Sequence, residues 1–358
     1  MQLMEKGRLR PGMVLGQDVY NYGKQIVVKK GTVLDERTID KLRRFEILQY
    51  MIEERVVEVY ETGNFHRSSY SQRIQKSPEF QKFQKDYDRE VSSFQQMLNN
   101  VIERNQTIDA EAMYSQVVTL LKDTGNTINA FDMVQNLRHY DDSTYAHSMN
   151  VGLLSNVFGS WLGFEGEERK VLTVAGILHD IGKTRMPLTI IQKPGKLSDE
   201  EYKIVKKHTE LGFHILTENR MNYHVRCAAL QHHERSDGTG YPQGLDNRHI
   251  DPYAKIVSIV DVYDAMTSPR VYRGPMCPFD VIDIFLQEGL QKYESKYILT
   301  FLRRIAESYL NEMVRISDGR EGRIIYINNF ALSRPTILVG DEPVDLNKQK
   351  NLRIQEIL

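Results

Sequence analysis

The chain has 358 residues, 41% of them hydrophobic and 27% charged, and a formal net charge of −1. That length suggests two or three structural units, and the even charge balance excludes a global field favouring a nucleic-acid polymer or an anionic membrane. Two cysteines, Cys227 and Cys277, are too few for a disulfide framework or a cysteine-rich zinc site, which makes a reducing cytoplasm the expected compartment.

Met1–Pro11 shows no apolar h-region of a signal peptide. No apolar run approaches the ~20 residues that span a bilayer, so no membrane anchor is expected. Residues 1–60 predict a small β-rich unit with one helix. Gly12-Met13-Val14-Leu15 and Gln25-Ile26-Val27-Val28-Lys29 are strand candidates, with turns at Gly23 and Lys30-Gly31. Asp35, followed by Arg37 to Leu42, predicts an N-capped helix, and Gln49 to Ile52 a closing strand. Residues 61–118 predict a helical connector. Within it Phe80, Phe83, Tyr87, Val91, Phe94, Leu98 and Val101 recur at three- and four-residue steps, an amphipathic stripe. Packing on a neighbouring helix is the ordinary use of such a stripe; a connector or a homodimer helix that transmits a signal is the sharper one. Residues 119–311 are mostly helical, with loops marked by Pro187, Pro194-Gly195, Asp237-Gly238 and Pro275, and with Asp199-Glu200-Glu201 at a helix start. No strand–helix alternation appears, which argues against a doubly wound sheet. From 312 to 358 the pattern turns to β, with strands expected at 322–327, 336–339 and 352–354.

Two short runs in the helical region stand out. One is His179-Asp180-Ile181-Gly182-Lys183; the other is His232-His233-Glu234, which leads into Gly238-Thr239-Gly240-Tyr241-Pro242. With His147, His208 and Asp261 they make seven candidate ligands for one site. Mixed imidazole and carboxylate donors suit Fe, Mn, Zn or Co. A carboxylate next to a histidine can bridge two ions, and two divalent ions about 3.5–4 Å apart suit phosphate-ester hydrolysis. His66, His139 and His249 read as surface or packed residues, while His214 and His224 are nearby competitors for the ligand set. Lys183, one turn from the site, is placed to bind a phosphoryl oxygen or to protonate a leaving alkoxide. In the Gly-Thr-Gly-Tyr-Pro loop, glycine permits close backbone approach to a ligand, Pro242 fixes the exit, and Tyr241 can stack or hydrogen-bond. Asp237 is a candidate to orient the loop or a ligand histidine.

These motifs resemble the HD-GYP family, a branch of the HD-domain metal-dependent phosphohydrolases, over roughly residues 120–305. Asp261-Val262-Tyr263-Asp264-Ala265-Met266 and Arg270-Val271-Tyr272-Arg273 extend the similarity. The resemblance implies a mainly α protein: an all-helical HD-type catalytic domain carrying a small β-rich N-terminal unit and a short β-rich C-terminal segment. It implies hydrolysis of cyclic di-GMP to the linear dinucleotide pGpG, with a second cut to GMP left open. A related cyclic dinucleotide such as cyclic GMP-AMP, or a sensor that binds without cutting, are the alternatives. Carried over residue by residue, the metal ligands are His147, His179, Asp180, His208, His232, His233 and Asp261, with Asp180 bridging. Asp180 and Lys183 are the catalytic candidates. Lys183, Arg270, Arg273, Tyr241 and Gly240 are the substrate-binding ones, guanidinium forks being well matched to phosphate.

This sequence departs from the family pattern twice. Ser143 stands where three-metal members place a glutamate, so two divalent ions, Fe or Mn, are expected rather than three. Pro269 stands where an aspartate often precedes Arg270, which removes that carboxylate's ion pair.

Overall fold

In the computed structural model the chain divides into two units, Met1–Arg67 and Ser68–Leu358. The structure describes residues 2–5, 9, 13–20, 26–32, 34, 38–39, 42, 49–56, 69–104, 106–122, 127–137, 144–191, 193, 197–268 and 276–358.

The N-terminal unit contains β1 (Gln2–Glu5), β2 (Met13–Leu15), β3 (Val19–Tyr20), β4 (Ile26–Val28) and β5 (Gln49–Val56). The sheet order is β1-β5-β2, with β3 and β4 forming a separate antiparallel pair. Leu15, Leu34, Ile39, Leu42 and Tyr50 fill its core, and the Tyr50 hydroxyl donates to the Leu42 carbonyl at 2.7 Å. The expected strands at 12–15, 25–29 and 49–52 fall on β2, β4 and β5, whereas β1 had no signal in the sequence. Residues 38, 39 and 42 of the expected helix are helical; its proposed cap, Asp35, lies outside the described residues.

The second unit is mainly helical. Its first elements are α1 (Ser69–Lys76), α2 (Pro78–Arg104), α3 (Ala110–Lys122) and α4 (Thr127–Asn136). The aromatic stripe lies on α2, where Phe80, Phe83, Tyr87, Phe94, Leu98 and Val101 are buried and the helix packs on α1, α3 and α5. Two apolar helices follow, α5 (Thr144–Trp161) and α6 (Gly166–Leu178). Every residue from Val151 to Gly159 on α5 and from Val171 to Leu178 on α6 is buried. A helix apolar all round belongs at the centre of a bundle, and these two pack along each other there.

A 3-10 turn (Ile181–Arg185) leads to α7 (Leu188–Ile191), α8 (Asp199–Lys206), α9 (His208–Glu218), α10 (Tyr223–Gln231) and α11 (Pro252–Thr267). The acidic helix start foreseen at Asp199 is closed by a capping box between Ser198 and Glu201. α11 starts with Pro252 at its first turn, and the Asp251 side chain accepts from the Tyr253 amide at 2.8 Å. α12 (Pro278–Ile284), a π-helical turn (Phe285–Gly289), α13 (Leu290–Lys292) and α14 (Ser295–Ser308) complete the helical part.

The C-terminal β segment consists of β6 (Met313–Ile316), β7 (Glu321–Tyr326), β8 (Thr336–Val339), β9 (Glu342–Asp345) and β10 (Ile354–Ile357). It is antiparallel in the order β10-β6-β7-β8-β9. Ile324 and Gly322 on β7 alternate inward with exposed neighbours. Val314, Ile316, Ile324, Ile337 and Ile354 join the same apolar core as the helices.

Candidate metal centre

Helix ends bring the ligands together. His179 is the C-cap of α6, His232 that of α10, and His208 opens α9 just after α8 ends. The last carbonyls of a helix lack intrahelical partners, and here imidazoles use them. His179 Nδ1 lies 2.7 Å from the Gly176 carbonyl, His208 Nδ1 2.7 Å from that of Val205, and His232 Nδ1 3.0 Å from that of Ala228. A carbonyl can only accept, so each Nδ1 carries the proton and each Nε2 turns a lone pair inward.

Those lone pairs converge on Asp180, a carboxylate only 2% exposed. Its Oδ1 faces His208 Nε2 at 3.3 Å and His232 Nε2 at 3.7 Å. Its Oδ2 faces His179 Nε2 at 3.4 Å and His147 Nε2 at 3.7 Å. Asp261, from the middle of α11, closes the second group through Oδ1, 3.1 Å from His147 Nε2 and 3.8 Å from His179 Nε2. His233 joins His208 and His232 in a triplet, and His147, His179 and Asp261 form another, the ligand atoms of each lying within 4.8 Å of one another. All seven residues expected from the sequence therefore meet in one place.

The donors fit divalent cations. His179 Nε2 and Asp180 Oδ1 are buried without a hydrogen-bond partner among the described residues, an expensive arrangement unless a cation satisfies them. His208 Nε2 and His232 Nε2 sit 3.3 Å apart with lone pairs facing, which a shared cation relieves. Burial holds the His232 imidazole well below its usual range, lowers that of His208, and pushes His233 down to about 3. All three are thus neutral donors at neutral pH. Burial works against ionising Asp180, but the Lys183 ammonium outweighs it and holds the carboxyl well below the usual carboxylate range. Asp261 is also held low, with His147 overcoming the effect of burial. His147 behaves differently: burial would lower it, yet Asp261 and Asp264 raise it to about 10, so in the bare protein a proton occupies the place a cation would take.

Glycine makes the cluster sterically feasible. A Cβ at Gly182 would lie 1.9 Å from the His208 carbonyl oxygen and 2.6 Å from the Gly212 amide nitrogen, so only glycine lets the 3-10 turn cross the start of α9. Lys183 follows directly, and its half-buried ammonium contacts Asp180 Oδ2. Gly240 lets the loop after the histidine pair fold onto the Glu234 and Arg235 backbone, which an added Cβ would meet at 2.4 Å. Tyr241 then stacks on His233, ring centroids 4.6 Å apart at 25°. Asp237 accepts from the Thr239 amide and hydroxyl, shaping this loop. Arg270, Arg273 and Pro269 lie outside the described residues, as does Ser143. Of the competitors, His224 pairs with Asp251 at 2.7 Å and stacks on Tyr253, and His214 lies against Phe213; neither enters the cluster.

Sequence reasoning assigned no role to Asp264, Asn150 or Glu234. Asp264 Oδ2 lies 2.8 Å from His147 Nδ1 and so orients that ligand from behind. Its position three residues after Asp261 on one helix was the available signal. Buried Glu234 accepts from the Gln243 amide at 2.7 Å and the Leu245 amide at 2.9 Å, which ties the Gly-Tyr-Pro loop to the histidine pair.

Residues 130–296 match the HD domain family, and every ligand described above falls within them. Those residues are similar to an HD domain, and their motifs resemble those of the HD-GYP branch. It is 32% identical over 212 residues to a cyclic di-GMP phosphodiesterase of Pseudomonas aeruginosa, covering 59% of this chain and 51% of that one. It is 35% identical over 190 residues to a cyclic di-GMP phosphodiesterase of Thermotoga maritima, covering 52% and 50%. Over 146 residues it is 39% identical to a 3'3'-cGAMP-specific phosphodiesterase of Vibrio cholerae, covering 40% and 34%. The chain thus spans about half the length, or less, of these curated relatives. Among solved structures, an HDG"Y"P protein from Bdellovibrio bacteriovorus shares the fold, with a TM-score of 0.50 and 19% identity over 84% of this chain and 97% of that one. No described helix is long and apolar enough to cross a membrane.

Proposed function

We propose that the chain is a cytoplasmic cyclic-dinucleotide phosphodiesterase that holds two divalent ions, Fe or Mn, and opens cyclic di-GMP to the linear dinucleotide, with 119–311 as its catalytic segment. The observation that carries this reading is the split of Asp180: one oxygen faces His208 and His232, the other His147 and His179. Two cations, one beside each oxygen, would share a carboxylate so divided.

One position would be held by His208, His232 and His233, the other by His147, His179 and Asp261, with Asp180 shared. Such ions, when bound, supply Lewis acidity that activates a water and neutralises charge on a phosphoryl oxygen. The remaining chemistry belongs to the chain. Lys183 puts an ammonium beside the bridge, where it can bind a non-bridging phosphate oxygen or donate a proton to the departing ribose oxygen. Water adds across one phosphodiester bond: the phosphorus keeps the hydroxyl, and the leaving oxygen takes the proton. Tyr241, fixed by its stack on His233 and with the Lys206 ammonium 5.0 Å from its ring, is proposed to wall one side of the site and contact the substrate. Arg270 and Arg273 are proposed to hold phosphates of the substrate.

A second substrate, cyclic GMP-AMP, is supported by the 39% identity to the Vibrio cholerae 3'3'-cGAMP-specific phosphodiesterase. Metal-loaded protein incubated under reducing conditions with both cyclic dinucleotides, followed by chromatography, separates the readings. Linear dinucleotide is expected, and Asp180→Ala is expected to lose bound metal and turnover together. Full metal content with intact substrate would mean a sensor, and full activity of Asp180→Ala would remove the site.

A further inference from the structure

The matched HD domain begins at residue 130, yet a residue well before it reaches the support of a metal ligand. The Tyr87 hydroxyl, on α2, is buried and lies 2.7 Å from Asn150 Oδ1 and 3.0 Å from the Ala146 carbonyl on α5. Asn150 Nδ2 lies 3.2 Å from Asp264 Oδ1 on α11, and Asp264 Oδ2 lies 2.8 Å from His147 Nδ1. Side chains from three helices, Tyr87, Asn150 and Asp264, are therefore linked in series to the His147 imidazole.

The direction of every bond in this relay follows from chemistry. Asn150 Nδ2 donates to the Asp264 carboxylate, which turns the amide carbonyl towards Tyr87. The phenol must then donate. At the other end, Asp264 can only accept from His147, so the Nδ1 proton is fixed and Nε2 is left facing Asp180 and Asp261. A rotated Asn150 amide would set its oxygen against the carboxylate, and the Tyr87 hydroxyl, 2.7 Å from Asn150 Oδ1 and 3.0 Å from the Ala146 carbonyl, adds a donor to the unrotated one. Partners behind a ligand imidazole fix its tautomer and ring orientation and strengthen it as a donor.

We infer that Tyr87 is a positioning residue for the metal centre: through Asn150 and Asp264 it orients His147, so that the cation position bearing His147 depends on how α2 is seated. The inference rests on the metal-centre reading above. It assigns to the helix before the HD domain a part in metal retention that the HD-domain residues alone do not fill.

A control is built into the same seam. Tyr145 on α5 also reaches α2, its hydroxyl 3.3 Å from Asn99 Oδ1, but that contact is not part of the relay. Mn2+ titration of the metal-stripped full chain by calorimetry would compare the parent, Tyr87→Phe, Asp264→Asn, the double variant and Tyr145→Phe. Each of the first two variants is expected to bind one Mn2+ about tenfold more weakly, the lower end of what such partners contribute. The double variant is expected to bind no more weakly than Asp264→Asn alone, because one broken relay cannot be broken twice. Tyr145→Phe is expected to match the parent. Parent-like affinity in Tyr87→Phe would overturn the inference, as would equal losses in Tyr87→Phe and Tyr145→Phe, or losses that multiply in the double variant. A parent that takes up no Mn2+ would overturn the metal-centre reading, and this inference with it.

Discussion

A methyl group at position 182 would be driven into the His208 carbonyl oxygen, and that oxygen belongs to the backbone, which cannot swing aside. Gly182→Ala must therefore push the 3-10 turn away from α9, moving Asp180 relative to His208. Overpacking of this kind costs about 1–3 kcal/mol. The variant is expected to melt at a lower temperature and to retain less metal than the parent, with a calorimetric melt and metal analysis as the checks; unchanged values in both would show that the crossing tolerates a side chain. At this scale the adjacent pairs His179-Asp180 and His232-His233 were visible in the sequence because neighbouring donor side chains leave a compact signature. The residues behind them were not. Asp264 meets His147 across 117 positions and Asn150 meets Tyr87 across 63, and no local pattern records such contacts.

Among the elements, α4 carries a half-buried carboxyl with a measurable consequence. Asp132 is raised from an ordinary 3.8 to about 7, by burial first and then by the charge of Glu312, against a lowering hydrogen bond from Tyr70 of α1. The folded protein thus holds a proton that the unfolded chain releases between about pH 4 and 7. Over that window the unfolded state binds fewer protons, so this group makes stability fall as pH rises, with no further contribution above about 7. Asp132→Asn removes the ionisation and is expected to stabilise the protein at pH 8 by on the order of 2 kcal/mol, while differing little at pH 4. Denaturant unfolding at the two pH values tests this, and an equal difference at both would show that the carboxyl titrates normally. For α2, the apolar stripe foretold both helix and buried face, since three- and four-residue spacing is a property of one helix alone. It could not foretell that Tyr87 uses its ring for the core and its hydroxyl for the relay.

For the molecule as a whole, the change of composition near residue 312 coincides with a change from helix to strand, while the change near residue 61 lies outside the described residues. They carried no information about which core each element enters. Residues 68–358 form one compact unit, because the strands after 312 turn Val314, Ile316 and Ile324 into the core that α5, α6 and α11 also line. Burial of a shared apolar face, not sequence proximity, decides that membership. The same packing holds the ends of α6, α8 and α10 and the middle of α11 close enough for imidazoles and carboxylates from 147 to 261 to meet. The central claim is that Asp180 bridges two cations, and electron paramagnetic resonance of the Mn2+-loaded full chain, with metal stoichiometry determined on the same sample, tests it most directly. Two Mn2+ per chain with an exchange-coupled spectrum is the predicted result; a single Mn2+ per chain, or two giving only the six-line pattern of isolated ions, would contradict it.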